Sequence, residues 1–217
     1  MPKDTFFNLS PEKRGNITEL ALEEFAINDY RSASLSRIVE KAGIAKGSMY
    51  QYFENKKDLY LYLIKLSAET KFKTIDEQIG HLSEDFFERY KLITFYGARF
   101  DFSQPRYANI LYHATYEATD PHIVDISREL KNDSYQYIRA TVRDGLAKGQ
   151  LRTDISEDFL VFALYHLTIS LRDYLSQQFN FSFKDAVRKG TGPPINEKQL
   201  LSVLDEFIFF FKKGLSA

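Results

Sequence analysis

Apolar residues recur along this chain at spacings of three and four, so the pattern predicts helices almost from end to end. Ile17, Leu20, Ala21 and Phe25 form one such stripe. Ahead of it, Ser10-Pro11-Glu12 places a capping serine, a first-turn proline and an acid at the positive end of the helix dipole. This helix should end near Asn28 and Asp29, residues that tolerate left-handed backbone. Ser34 then caps a short second helix that buries Leu35, Ile38, Val39 and Ala42, and Gly43 stops it. A third helix follows at once, over about Ala45 to Tyr52. Asn55 with Asp58 three residues on predicts a capping box that opens a fourth, carrying Leu59, Tyr62, Leu63 and Leu66.

Beyond about residue 70 the period stays helical but aromatic residues crowd in, Phe95, Phe100, Tyr112 and Tyr116 among them. Pro105 and Pro121 mark breaks, and the run from Gly145 to Ser156 reads as helix end, turn and new cap. Two long apolar helices are expected at about Glu157 to Gln178 and Glu197 to Lys213, separated by a loop holding Gly190, Gly192, Pro193 and Pro194. The expected fold is all-α: an N-terminal three-helix bundle with a helix-turn-helix at 1–54, a connecting helix at 55–70, and a larger helical domain at 71–217.

Composition narrows the chemistry. With 44% hydrophobic and 27% charged residues the 217-residue chain can bury a core, which argues against a disordered or fibrous chain. Cysteine is absent, so disulfides, thiolate metal sites and cysteine nucleophiles are excluded. Neither a signal-peptide core nor an apolar run of membrane-spanning length is present, and a cytoplasmic location away from membranes is expected. The net charge of -1 carries no hint of nucleic acid, but its distribution does. From Tyr30 to Lys57 six cations (Arg31, Arg37, Lys41, Lys46, Lys56, Lys57) face two anions (Glu40, Glu54), a local 6 − 2 = +4. Such an excess is more often a solvated face than a DNA surface, so the motif has to carry the reading.

The motif is the run IVEKAGIAKGSMYQYFENKKDL. Two short helices joined by a tight turn, the second small and polar enough to leave a core, fit the major groove of B-DNA. Ile38, Val39, Ala42 and Ile44 would hold the pair together while Lys46, Ser48, Tyr50, Gln51 and Tyr52 stay polar or amphipathic. Gly47 sits inside the third helix, where glycine costs about 1 kcal/mol against alanine, and close approach to a phosphodiester backbone would explain it.

This run, with the first-helix residues Ile17, Ala21 and Phe25, the cap at Ser34, the Lys46-Gly47 pair, Tyr50, Phe53 and Asn55-Lys56, resembles the N-terminal signature of the TetR family of bacterial transcriptional regulators over residues 10–66. The resemblance implies phosphate contacts from Ser34, Lys46, Tyr50, Tyr52 and Lys56, and base-edge contacts from Gly47, Ser48 and Gln51. Two positions depart from it. Asp29 stands where glycine is common, and Ala45 replaces the serine or threonine that would cap the recognition helix and reach a phosphate.

The same resemblance implies a homodimer, a small-molecule effector bound in the C-terminal domain, and release of a double-stranded DNA operator when that effector arrives. Apolar residues cover more than one face of the last two long helices, so Phe159, Leu167, Leu204, Phe207 and Phe211 are candidates for a four-helix dimer bundle, packing within one chain being the alternative. Phe95, Phe100, Tyr112, His113, Tyr116, Phe162 and His166 are candidates for an effector pocket, although aromatic stripes at helical spacing more often serve as core. Arg99, Arg172 and Glu117 could read a charge on the effector. No two of His113, His122 and His166 have the spacing of a zinc helix, and neither metal nor other cofactor is expected. An enzyme with an aromatic pocket is the competing class, but no GxSxG, phosphate loop, HExxH or dinucleotide fingerprint is present. Repressor and activator are not separable on these residues.

Overall fold

The computed structural model describes residues 1–79, 83–116, 121, 123–192 and 195–215. His122, Glu117, Pro193 and Pro194 lie outside them. Among the described residues every extended element is helical, in two compact units.

The first unit gathers residues 1–72, 104–128 and 183–191. It opens with a short helix α1 (Asp4–Phe7), then α2 (Pro11–Ile27), whose Ser10 hydroxyl accepts from the Lys13 amide as a cap should. Ile17, Ala21 and Phe25 of the expected stripe are buried. The end of α2 departs from expectation: Asn28 leaves at φ -120, ψ 137, in extended backbone. Its side-chain amide donates to the Glu24 carbonyl, closing the helix without a left-handed residue. Asp29 accepts the Ser32 amide at 2.8 Å, which holds its carboxyl below the ordinary value together with the Ser32 hydroxyl.

Helix α3 (Leu35–Ala42) begins on Ser34, whose hydroxyl accepts from the Arg37 amide, and ends on Gly43 at φ 64. That left-handed residue is what lets α4 (Lys46–Tyr52) follow after so little chain. Asn55 Oδ1 accepts the Asp58 amide at 3.0 Å and opens α5 (Lys56–Ile79). To this core are added α7 (Pro105–Tyr116), α10 (Phe183–Lys189) and the start of α8 (Val124–Ala147), so the unit is not a simple N-terminal segment. Asn109 on α7 donates to the Ala26 carbonyl at 3.0 Å, tying α7 to the last turn of α2.

The second unit comprises residues 73–103, 129–182 and 192–217. Its core is built from α6 (Phe86–Ser103), the rest of α8, α9 (Glu157–Gln178) and α11 (Glu197–Leu215), with Phe86, Tyr90, Val142, Leu160, Leu164 and Phe211 at the centre. The Tyr90 hydroxyl donates to the Leu164 carbonyl at 2.9 Å, so the buried phenol is satisfied, and burial pushes its pKa up. Gly149 at φ 65 turns the chain between α8 and the Ser156 cap of α9, as expected for the Gly145 to Ser156 run. The sequence reading does not anticipate α10 or α1, the latter only four residues long.

Candidate nucleic-acid interface

The periodicity of α4 sorts its seven residues into two faces. Met49 and Tyr52, three apart, are buried at 1% and 6% exposure, and Phe53 just beyond the helix joins them. Lys46 and Tyr50, and Gly47 and Gln51, are pairs four apart, and all four are exposed on the opposite face. Ser48 lies at the margin, half-buried. A one-turn-wide polar face carrying a lysine, an amide and a phenol can enter a major groove, with the lysine suited to phosphate and the amide to a base edge.

Tyr52 is displaced from the expected set. Its ring packs 6.1 Å from that of Phe6, so little of it remains for a phosphate. Tyr50 stays exposed while Tyr52 does not, because a residue two positions on falls across the helix. Ala45 sits at the cap with φ -65, ψ 143 and no side-chain hydrogen bond. Gly47 has open space where a Cβ would stand, so nothing inside the protein requires glycine there.

Ser34 and Lys56 lie on neighbouring elements, at the start of α3 and of α5. The Ser34 amide donates to Glu24 Oε1 at 2.8 Å, which fixes the start of α3. Lys56 Nζ donates to the Arg31 carbonyl at 3.0 Å and lies 5.0 Å over the Tyr30 ring. The local positive excess is smaller than the sequence window suggests. Arg37 pairs with Glu24, and Lys41 Nζ meets Glu23 Oε1 at 2.8 Å, both acids lying on α2 outside the window.

The other candidates are divided between the two units. Tyr112, His113 and Tyr116 lie in the first unit, where His113 Nδ1 is 3.3 Å from the Phe25 carbonyl, while Phe95, Phe100, Phe162 and His166 lie in the second. Phe95 and Phe100 are buried. Phe162 is exposed on α9, its ring 4.5 Å from that of His166, whose Nε2 is 3.2 Å from the Tyr135 hydroxyl. Arg99 is engaged with Glu197 at 2.9 Å. Of the dimerisation candidates, Phe159 and Leu167 are exposed, Phe207 is half-buried, and Leu204 and Phe211 are buried inside the second unit. The sequence window could not separate them, because α11 is apolar on the face that packs and on the face that does not. Its outward residues are Phe209 and Phe210, exposed at 63% and 69%.

Among the described residues no group of three or more His, Asp or Glu is placed to hold a metal ion, and no helix is long and apolar enough to cross a membrane.

Residues 17–63 match the family profile described as bacterial regulatory proteins, tetR family. The fatty acid metabolism regulator protein of Bacillus subtilis is 35% identical over 63 residues, 29% of this chain and 32% of that relative, so this chain spans about a third of its length. The ketosteroid transcriptional regulator KstR2 of Mycobacterium tuberculosis shares the fold at a TM-score of 0.64, with 17% identity over 96% of this chain and 97% of that one. A TetR family transcriptional regulator from Chloroflexus aurantiacus superposes at a TM-score of 0.85 with 35% identity, covering 100% of this chain and 99% of that one. Similarity of that extent, added to the helix-turn-helix geometry, establishes that the chain belongs to the TetR family of bacterial transcriptional regulators.

Proposed function

We propose that the protein acts as a homodimeric repressor that binds a pseudo-palindromic operator through α4 and releases it on binding a small apolar or aromatic effector. The observation that carries the DNA half of this reading is the exposed face of α4, where Lys46, Gly47, Tyr50 and Gln51 stand together above a buried Met49 and Tyr52. Lys46 and Tyr50 serve phosphates, and Gly47, Ser48 and Gln51 face base edges. Ser34 and Lys56 add phosphate contacts from neighbouring elements in this reading.

Dimerisation is supported by large apolar side chains left exposed in the second unit: Phe159, Phe162, Leu167 and Tyr174 on α9, with Phe209 and Phe210 on α11. Large apolar side chains left exposed in this number favour burial against a second copy. Phe162 therefore belongs with the dimer face rather than with an effector pocket, while Leu204 and Phe211 support that face from beneath. The effector is read from family membership and from the buried aromatic residues Phe95 and Phe100 of the second unit.

A duplex selected from a random-sequence library by the unmodified protein tests the reading. Lys46→Ala and Tyr50→Ala should each weaken its binding about tenfold or more. Unchanged affinity in both would remove α4 as the reading helix. Native mass spectrometry of the purified protein reads the oligomer and any molecule that travels with it.

A further inference from the structure

The recognition helix is short and poorly capped by its own sequence. It has seven residues, Ala45 gives its N-terminus no side-chain cap, and Phe53 after it takes extended backbone at φ -131 instead of a glycine turn. A helix of this length is not stable by itself, and its last four carbonyls need donors from elsewhere.

Those donors are present. The Met49 carbonyl accepts the Phe53 amide at 2.9 Å. The remaining three accept from the N-terminal arm. Lys3 Nζ donates to the Tyr50 carbonyl at 2.9 Å, the Thr5 hydroxyl donates to the Gln51 carbonyl, and the Lys3 amide donates to the Tyr52 carbonyl at 2.8 Å. The Lys3 ammonium thus stands at the negative end of the α4 dipole. The arm is itself anchored. Phe6 is fully buried, its ring 4.8 Å from that of Phe53 and 5.6 Å from that of Tyr62, and Arg14 Nη1 of α2 donates to the Phe7 carbonyl at 2.9 Å.

We infer that Lys3 and Thr5 are positioning residues for operator recognition: the arm around α1 is a clasp that holds the recognition helix by its C-terminal carbonyls. The inference rests on α4 being the helix that reads DNA. Two of the clasped carbonyls belong to Tyr50 and Gln51, whose side chains lie on the exposed face, so the clasp fixes the two residues whose aim decides register and base contact. Its effect is on specific binding. A lysine that touched a phosphate itself would strengthen all DNA alike.

The test is the double variant Lys3→Met, Thr5→Val, which keeps the side-chain volumes, Phe6 and the Lys3 backbone bond. It is measured beside Lys46→Ala on the library-selected duplex and on a scrambled duplex of equal length. The clasp predicts affinity for the selected duplex about tenfold lower, affinity for the scrambled duplex unchanged, and an unaltered slope of log Kd against log salt. Backbone amide exchange should quicken at Phe53. A slope reduced by about one, with both duplexes weakened alike, makes Lys3 a phosphate contact and overturns the inference. Unaltered affinity in the double variant while Lys46→Ala weakens binding also overturns it, and leaves α4 as the reading helix. Unaltered affinity in both variants removes α4 itself.

Discussion

Glu24, on α2, holds Arg37, on α3, side-on: Arg37 Nε donates to both carboxylate oxygens, at 3.0 and 3.1 Å, while Arg37 Nη2 reaches the Ser32 carbonyl at 2.9 Å. The carboxylate is 7% exposed and also takes the Ser34 amide, so one acid joins α2 to the cap of α3. Its interactions raise the already high pKa of Arg37. Glu24→Ala strands the part-buried Ser34 amide, and should cost about 2 kcal/mol in urea unfolding. Glu24→Gln keeps an acceptor for that amide and should cost less. Equal losses in the two variants would show that the charge, and not the amide bond, governs the joint.

Gly47 predicts a split between stability and binding. A Cβ there meets no atom within 4 Å and the backbone is helical, so Gly47→Ala should raise stability by up to about 1 kcal/mol while weakening operator binding. Parallel thermal unfolding and gel-shift measurements check this. A variant that gained stability without losing affinity would show that DNA does not approach this backbone.

Ala45→Ser supplies the missing cap of α4. The extended backbone already present at this position suits a capping hydroxyl, and about 1 kcal/mol of stability is expected, with tighter operator binding. Amide exchange at Ser48 gives the local readout, and no slowing there would mean that the hydroxyl does not close the turn.

Gly145 is required by packing. An added Cβ would stand 2.7 Å from Phe86 Cδ2 and 3.0 Å from Leu151 Cδ1, and both side chains are core residues that cannot move aside. Gly145→Ala should therefore cost a net 1–2 kcal/mol, roughly, overpacking outweighing the helix gain. A stabilised variant would mean that Phe86 has room to turn.

Acid should weaken the second unit. The Lys148 ammonium, with Arg89 beside it, holds Asp144 below the ordinary carboxylate pKa, and Arg143 with Arg139 does the same for Glu157. A folded-state pKa below the unfolded value means stability that is complete above the unfolded pKa of about 4 and is lost as pH falls through the folded values. Thermal midpoints should hold between pH 7 and about pH 5 and then drop, and Asp144→Asn with Glu157→Gln should flatten that limb. Salt should flatten it as well, because these groups are partly open to solvent.

The reading domain was legible because its signals are local. Ser10, Ser34, Gly43 and Asn55 each act within four residues of themselves, and all four do in the structure what their chemistry suggests. Tyr52 and the α4 clasp were not legible in that way. Tyr52 is buried by Phe6, 46 positions away, and Lys3 and Thr5 work through carbonyls whose partners no spacing rule reveals. The phenylalanine pair in the otherwise polar opening segment was the one available sign that it packs against something. In the second unit, Leu204 and Phe211 could not be told from Phe209 and Phe210 by composition, since the difference is only which side of α11 faces the core.

The acids of α2 also shape how the protein searches a genome. Because Glu24 and Glu23 occupy Arg37 and Lys41, fewer cations are left to displace counterions from DNA of arbitrary sequence. Weak attachment to the vast excess of ordinary chromosome keeps more copies unbound and mobile. A regulator made this way can occupy its operator at a low copy number.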